Sequence, residues 1–211
     1  MNRKIMENNG NLKFVGISIL KFMGVAIGIA LAMAIMVGLA YIDISNDGKI
    51  QDASYTENLQ ESLILLSSLI FMYLAKKLNR NGLFLVSGLF LCMFIREWDA
   101  VFDNLFHGAW KYFAIPSAVI FIWLGIKNGM EKAAVDLVLF IKSKAYKIIA
   151  LGLLIVLVVS RLLGNKAIWL LMSAEHFQYV FKSFIEEGVE LLGYMTIFVG
   201  SIYYYISSKK E

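Results

Sequence analysis

Acidic side chains recur at helical spacing in three separate stretches of this sequence. They are Glu57 and Glu61 in the first stretch, Asp99 and Asp103 in the second, and Glu186, Glu187 and Glu190 in the third. Residues three or four apart share one face of a helix, so each stretch would present a short row of carboxylates. His107 extends the second row by one further turn. Carboxylate oxygens bind hard cations, and imidazole suits transition metals, so the pattern favours a cation site.

We expect these rows to meet in one polar pocket that binds either a divalent metal ion or protons. The predicted lining residues are Glu61, Glu97, Asp99, Asp103, His107, Glu187 and Glu190. Arg96 is expected to form a structural ion pair with one of these carboxylates. Helix bundles build metal sites from inward-facing carboxylates, but the Glu-x-x-His motif of dinuclear sites is absent from this sequence. No residue is assigned a catalytic role.

The same acids have two other interpretations. Glu57 and Glu186 lie near predicted helix N-termini, where the helix dipole favours negative charge without any ligand. The cluster would then be purely structural, with Arg96 holding one helix against another. Alternatively, the acids form a face that docks a peptide or another protein. The sequence leaves these interpretations open beside the cation site.

The elements that must position these acids are transmembrane helices. Hydrophobic residues make up 59% of the 211 residues and charged residues 17%, whereas soluble domains average about 45–50% and about 25%. Apolar runs recur along the whole length, so residues 1–211 are predicted to form a single integral membrane domain whose main partner is the lipid bilayer. The formal net charge of +4 requires no nucleic-acid partner.

The predicted fold is all-α and polytopic, with six transmembrane helices and two short interfacial amphipathic helices. About 20 residues of helix cross the hydrocarbon core of a bilayer. By that length the spans fall at about 21–42, 57–76, 82–100, 111–129, 147–163 and 187–206. The amphipathic helices are predicted at 130–146, which carries a basic face, and at 173–184.

The distribution of Lys and Arg predicts the orientation. With the N-terminus in the cytoplasm, 14 of the 20 bases fall on the cytoplasmic side and 12 of the 16 acids fall on the outer side. An excess of bases marks the cytoplasmic loops of membrane proteins. Both termini are therefore predicted to be cytoplasmic, in an inner or plasma membrane, and the polar pocket is predicted to open outwards.

Two of the spans have too few uncharged residues to cross the bilayer. The uncharged runs are 62–75 and 82–95. Each would rise about 21 Å as a helix, against a hydrocarbon core of about 30 Å. Continuing these helices draws the acids at their outer ends below the membrane surface. Charged groups at such depth normally face the bundle interior and pair with one another.

Small residues follow one face of the first predicted span. Gly24, Gly28 and Ala32 are spaced four apart, which permits close approach of a second helix. That helix belongs either to the same chain or to a second copy, which would make the protein a homo-oligomer.

Three functions are compatible with this pattern. In the first, the outward-facing carboxylate and histidine cluster binds a cation for transport or sensing. In the second, the protein is a metal-dependent membrane enzyme that acts on a lipid or a quinone-like substrate. In the third, it is a non-catalytic accessory or immunity protein of the membrane. The nucleotide-binding, nucleophile-elbow and HExxH motifs are absent from the sequence, and no known family is indicated.

Overall fold

The computed structural model describes residues 54–173 and 179–209, together with separate positions between residues 19 and 45. The chain divides into two units, Met1–Gly38 and Leu39–Glu211. The described positions of the first unit are helical, and 15 of the 22 positions of the predicted span 21–42 are described, all of them helical. Whether the chain forms one domain, and whether Gly24, Gly28 and Ala32 mediate an oligomer, stay predictions.

The described part of the second unit is all-helical, without a strand. We number its helices in chain order. They are α1 (Tyr55–Lys77), α2 (Leu83–Glu97), α3 (Asp99–Asp103), α4 (Trp110–Ile126), α5 (Met130–Ile141), α6 (Lys144–Leu163), α7 (Lys166–Ser173) and α8 (Tyr179–Ser207). The all-α prediction is confirmed for this part of the chain.

Three described helices are long and apolar enough to cross a membrane: α1, α6 and the segment Phe181–Ser207 of α8. Helices α4 and α5 meet the same test only as a pair, which is bent by 96°, so the described residues contain three or four candidate spans, fewer than the six predicted for the chain. Helix α2 has 15 residues and is too short to be counted, although it matches the start of the predicted span 82–100. The apolar helices are consistent with a membrane location.

Helix α8 is the centre of the packing. It packs against α6 on one side and α1 on the other, while α1 packs against α2 and α2 against α4. Glycines allow the closest of these contacts, because a Cβ at Gly193 would lie 2.5 Å from Cγ2 of Val156. A Cβ at Gly152 would similarly lie 2.8 Å from the carbonyl oxygen of Gly193. Helices α6 and α8 therefore touch almost backbone to backbone, as small residues allow in membrane helices.

Helices α1 and α2 are joined by a reciprocal pair of serines. Ser68 Oγ donates to the carbonyl oxygen of Ser87, and Ser87 Oγ donates to the carbonyl oxygen of Ser68, both at 2.8 Å. Both serines are buried. The hydroxyl groups of the two apolar helices are thus satisfied inside the protein rather than left facing lipid.

The predicted amphipathic helix 130–146 is divided in the structure. Helix α5 ends at Ile141, and α6 already begins at Lys144, where Ser143 Oγ accepts the backbone N–H of Tyr146 at 3.2 Å. This N-cap starts a new helix three residues before the predicted span 147–163. Gly129, with φ of 105°, makes the preceding bend between α4 and α5. The second predicted amphipathic helix, 173–184, includes residues outside the described ranges.

Candidate functional site

One end of the helix bundle contains a cavity of about 500 Å³ that is lined mainly by acids, and we call it the acidic cavity. Its polar lining comprises Glu57, Arg96, Glu97, Asp99, Asp103, Arg161, Glu186, Glu187 and Glu190. These residues come from the start of α1, the end of α2, the short α3, the end of α6 and the beginning of α8. Five of the seven predicted site residues therefore meet there.

Glu190 is the most deeply buried acid of the cavity, with 4% of the residue exposed. Arg161 Nη2 lies 2.7 Å from Glu190 Oε1, and Ser160 Oγ donates to the same oxygen at 3.1 Å. Both partners are supplied by the last turn of α6, which the glycine contacts hold against α8. A buried carboxylate with a guanidinium and a hydroxyl partner is a stable anchor between two helices.

Glu97 links α2 to α8. Its Oε1 accepts a hydrogen bond from Tyr194 Oη at 2.6 Å and lies 2.7 Å from Arg96 Nη2. The predicted ion pair of Arg96 is thus formed with its own sequence neighbour, so the pair itself joins no two helices. Tyr194, which is fully buried, provides the interhelical contact instead.

Glu186 is held by bases from two helices. Lys182 Nζ lies 2.6 Å from Glu186 Oε2, and Arg161 Nη1 lies 3.9 Å from Oε1. The carboxylate packs against Gly164, where any Cβ would overlap with Glu186 Oε1. A side chain at the C-terminal end of α6 would therefore displace the Glu186 carboxylate.

Glu187 has a different environment. Gln60 Nε2 donates to its Oε2 at 3.2 Å and to its backbone carbonyl oxygen at 3.0 Å. In the described part of the chain, no Lys, Arg or His forms an ion pair with Glu187. Gln60 is 1% exposed, and its Oε1 is buried without a hydrogen-bond partner among the described residues. Glu187 is thus a cavity carboxylate matched with a neutral amide.

The histidine end of the second row does not reach the cavity. Helix α3 stops at Asp103, so the expected extension of this helical row to His107 is wrong. Gly108, with φ of 78°, turns the chain, and its N–H donates to Asp103 Oδ1 at 2.7 Å. This bond, with His107 Nδ1 2.9 Å from Oδ2, holds the pKa of Asp103 below its ordinary value. The His107 side chain itself is 96% exposed.

Glu61 also lies outside the acidic cavity. It lines a neighbouring cavity of about 430 Å³ together with Glu57, Glu97 and Trp98. Glu57 and Glu97 line both spaces and separate them. Glu61 and His107 are therefore the two predicted site residues that the structure places apart from the other five.

No metal centre is formed by the residues that the structure describes. Within them, no group of three or more His, Cys, Asp or Glu side chains has an arrangement that could hold a metal ion. Three of the carboxylates are instead paired with bases. Arg96 pairs with Glu97, Arg161 with Glu190 and Lys182 with Glu186. The geometry is that of a mixed-charge network with an acidic surplus.

Sequence reasoning missed four partners of these acids, namely Gln60, Ser160, Arg161 and Tyr194. Gln60 lies three residues after Glu57, and Tyr194 lies four residues after Glu190, so helical spacing marks both. Ser160 and Arg161 had no such signal, because they meet the acids only through the packing of α6 on α8.

Comparison with known proteins adds no identification. No family model, no curated protein and no solved structure matches this chain.

Proposed function

We propose that this chain is a multi-pass membrane protein that binds a cation from the outer solution in the acidic cavity and senses it. The environment of Glu187 carries this proposal. Three cavity carboxylates are already matched with bases, whereas Glu187 contacts the neutral amide of Gln60. Seven acids against two arginines give the lining a surplus of negative charge, which raises the local concentration of cations.

The proton is the cation that this arrangement accommodates best. A metal ion needs several ligands around one point, and the described residues offer no group of three. A proton needs a single carboxylate oxygen. Protonation of Glu187 also adds a donor beside Gln60, whose Oε1 is buried without a partner in the described chain.

Sensing is favoured over transport by the packing below the cavity. Ile64, Phe71, Phe90, Leu191 and Ile197 are all fully buried in the middle of α1, α2 and α8. Phe71 makes an edge contact with Phe90, with ring centroids 5.6 Å apart. A dense apolar and aromatic layer opposes the passage of an ion. An ion bound at the cavity would therefore act on the protein rather than cross it.

The finer topology belongs to the same proposal. Six spans with both termini in the cytoplasm place the acidic cavity outside. Support comes from the charge order along α1, which runs from Glu57 to Lys76 and Lys77. The rise from Glu57 to Lys77 is about 30 Å, the thickness of the hydrocarbon core. Labelling of Asp47→Cys and Lys209→Cys in a Cys92→Ser background tests the topology, since only the Asp47→Cys variant should react from outside intact cells.

The proton proposal is tested by the melting temperature in neutral detergent between pH 7.5 and pH 5. We expect mild acid to stabilise the wild type, because protonation of Glu187 removes its repulsion from the other cavity acids. Glu187→Gln should be more stable than the wild type at pH 7.5 and should lose most of the acid response. Glu131→Gln, which changes an exposed acid of α5, is the matched control.

Chelators and divalent ions separate the proton from a metal. If the cavity binds protons, EDTA and added Mg²⁺ or Ca²⁺ should leave the melting temperature unchanged at constant ionic strength. A specific stabilisation by one divalent ion, lost in Glu187→Gln, would replace the proton by that metal. If acid raises the melting temperature of Glu187→Gln as much as that of the wild type, Glu187 is not the proton-binding group.

A role as an accessory protein is the second candidate, and the paired carboxylates favour it. Glu97, Glu186 and Glu190 are matched with bases, as in a structural network that presents a fixed surface. This candidate expects no response to acid or to divalent ions in the experiments above. The alternative of a metal-dependent enzyme has no such support, because the described residues contain no group of three His, Cys, Asp or Glu side chains that could hold a metal ion.

A further inference from the structure

The opposite end of the bundle contains a second cavity, of about 420 Å³, which we call the basic pocket. Its bases are Arg80 from the turn between α1 and α2, Lys142 from the turn between α5 and α6, and Lys144 from the first turn of α6. Ser143, Ser207 and Tyr203 are among the hydroxyl residues that line it. None of the described residues that line it is acidic. The pocket therefore combines three positive charges with several hydroxyl groups.

We propose that the basic pocket binds the phosphate group of an anionic molecule. A guanidinium and two ammonium groups around hydroxyls are the chemistry that recognises phosphate oxygens. The first turn of α6 adds to this, because Lys144 and Ala145 line the pocket at the positive end of that helix. This inference does not depend on the acidic cavity.

Two sources could supply the phosphate group: a lipid headgroup or free phosphate. The position of the pocket is the reason to test the lipid first. Ser207 lies about 25 Å along α8 from Glu190, which places the two cavities at opposite ends of a membrane-spanning helix. Lys77 and Lys209 lie at the same end, each near the ring of Tyr205, at 6.0 and 4.4 Å from its centroid. Basic pockets beside membrane helices bind anionic headgroups.

A purely structural explanation competes with this proposal. The pocket also receives the C-terminal ends of α5 and α8, whose partial negative charge attracts bases. In that case the bases would only compensate helix ends. Their removal would then lower stability whether or not a phosphate compound is present, and it would leave any lipid effect unaltered.

The test uses the full chain in a neutral detergent and follows tryptophan fluorescence on heating. Phosphatidylglycerol or phosphatidylcholine is titrated into the micelles at fixed ionic strength, and inorganic phosphate is titrated in a separate series. We expect phosphatidylglycerol to raise the melting temperature and phosphatidylcholine to have no effect. Each of Arg80→Gln, Lys142→Gln and Lys144→Gln should weaken the apparent affinity about tenfold, the effect of losing one hydrogen bond to a charged phosphate oxygen.

Lys132→Gln and Lys147→Gln are the matched controls, because both are exposed lysines on the same two helices and do not line the pocket. They should leave the lipid affinity unchanged. Lys142 is itself exposed, so its replacement tests the pocket without disturbing the fold. Stabilisation by inorganic phosphate, lost in the pocket variants, would identify free phosphate as the source. Equal losses in pocket and control variants, or no stabilisation by either compound, would overturn the proposal.

Discussion

The two ends of the bundle handle buried charge in different ways. Among the described residues, Glu190 and Asp136 are the buried acids, one near each end. Glu190 is matched with the side chains of Arg161 and Ser160. Asp136 instead accepts the backbone N–H of Gly82 at 3.0 Å. At the acidic end three carboxylates are matched with bases and Glu187 is matched with an amide, whereas no described acid lines the basic pocket. The mixed-charge network stabilises its end of the bundle and leaves Glu187 for a proton, whereas a pocket lined by bases alone is suited to an anionic ligand.

The strongest test of this contrast is Arg161→Ala. It leaves Glu190 buried without its base, and breaking a buried pair costs about 3–5 kcal/mol. We expect a loss of about 3 kcal/mol, the lower limit, because the Arg161 side chain is 44% exposed. Denaturant unfolding in detergent measures it. Lys166→Ala, a change of a base that lines neither cavity, is the control, and Arg161→Ala combined with Glu190→Gln should recover much of the loss. Equal effects of Arg161→Ala and Lys166→Ala would show that Glu190 is solvated.

At the basic end the corresponding change is Asp136→Ala. The N–H of Gly82 would lose its charged acceptor in a buried position, which costs about 2 kcal/mol. Asp136→Asn keeps an oxygen acceptor and should lose less. Glu131→Ala, on the exposed side of the same helix, should be neutral. If Asp136→Asn is as damaging as Asp136→Ala, the carboxylate charge rather than the hydrogen-bond acceptor stabilises this end, and the contrast between the two ends is lost.

Tyr194→Phe tests whether the interhelical bond or the ion pair holds Glu97. The Tyr194 hydroxyl donates to Glu97 Oε1 at 2.6 Å, whereas Arg96 is 37% exposed. A hydrogen bond to a charged group contributes about 1.5–3 kcal/mol, so we expect a loss of about 1.5 kcal/mol. Arg96→Ala should cost less than Tyr194→Phe in the same unfolding measurement. A larger loss in Arg96→Ala than in Tyr194→Phe would show that the ion pair with Arg96 holds Glu97.

The smallest expected effect concerns Asp103. Its pKa is lowered by the Gly108 N–H and by His107, so its contribution to stability is present above the ordinary pKa of an aspartate. That contribution is lost as the pH falls through the lowered pKa. Asp103→Asn should therefore reduce the melting temperature slightly at about pH 6, and this difference should shrink as the pH falls through the lowered pKa. An NMR titration of the Asp103 carboxyl carbon measures the pKa directly, and an ordinary value would contradict the turn geometry.

The positions of several helices, and the meeting of the acids, were accessible from sequence for clear reasons. Apolar run length predicts α1 and α4, and the shared depth of Glu97, Glu187 and Glu190 predicts that they converge. Features set by local turns were not accessible. Helix α3 ends at Asp103 and the chain turns at Gly108, so His107 is not carried by that helix, and the Ser143 cap starts α6 earlier than its apolar run suggests.

The sequence also could not predict which base pairs with which acid. Nothing in the spacing of residues distinguishes Arg96 from Arg161 as the partner of Glu190, because that choice is made by how α6 packs against α8. The backbone contact of Gly152 with Gly193 sets this packing. The metal interpretation required a convergence of ligands to one point, which depends on such distances rather than on residue types.

The reciprocal bonds of Ser68 and Ser87 have a consequence for biogenesis. A lone serine in the middle of a short apolar helix disfavours its partition from the translocon into lipid. Because each hydroxyl donates to a carbonyl oxygen of the other helix, rather than to its own helix as that of Ser67 does, the pair favours insertion of α1 and α2 as a hairpin. We therefore expect the two helices to leave the translocon together, as one insertion unit, before α8 arrives to complete the bundle.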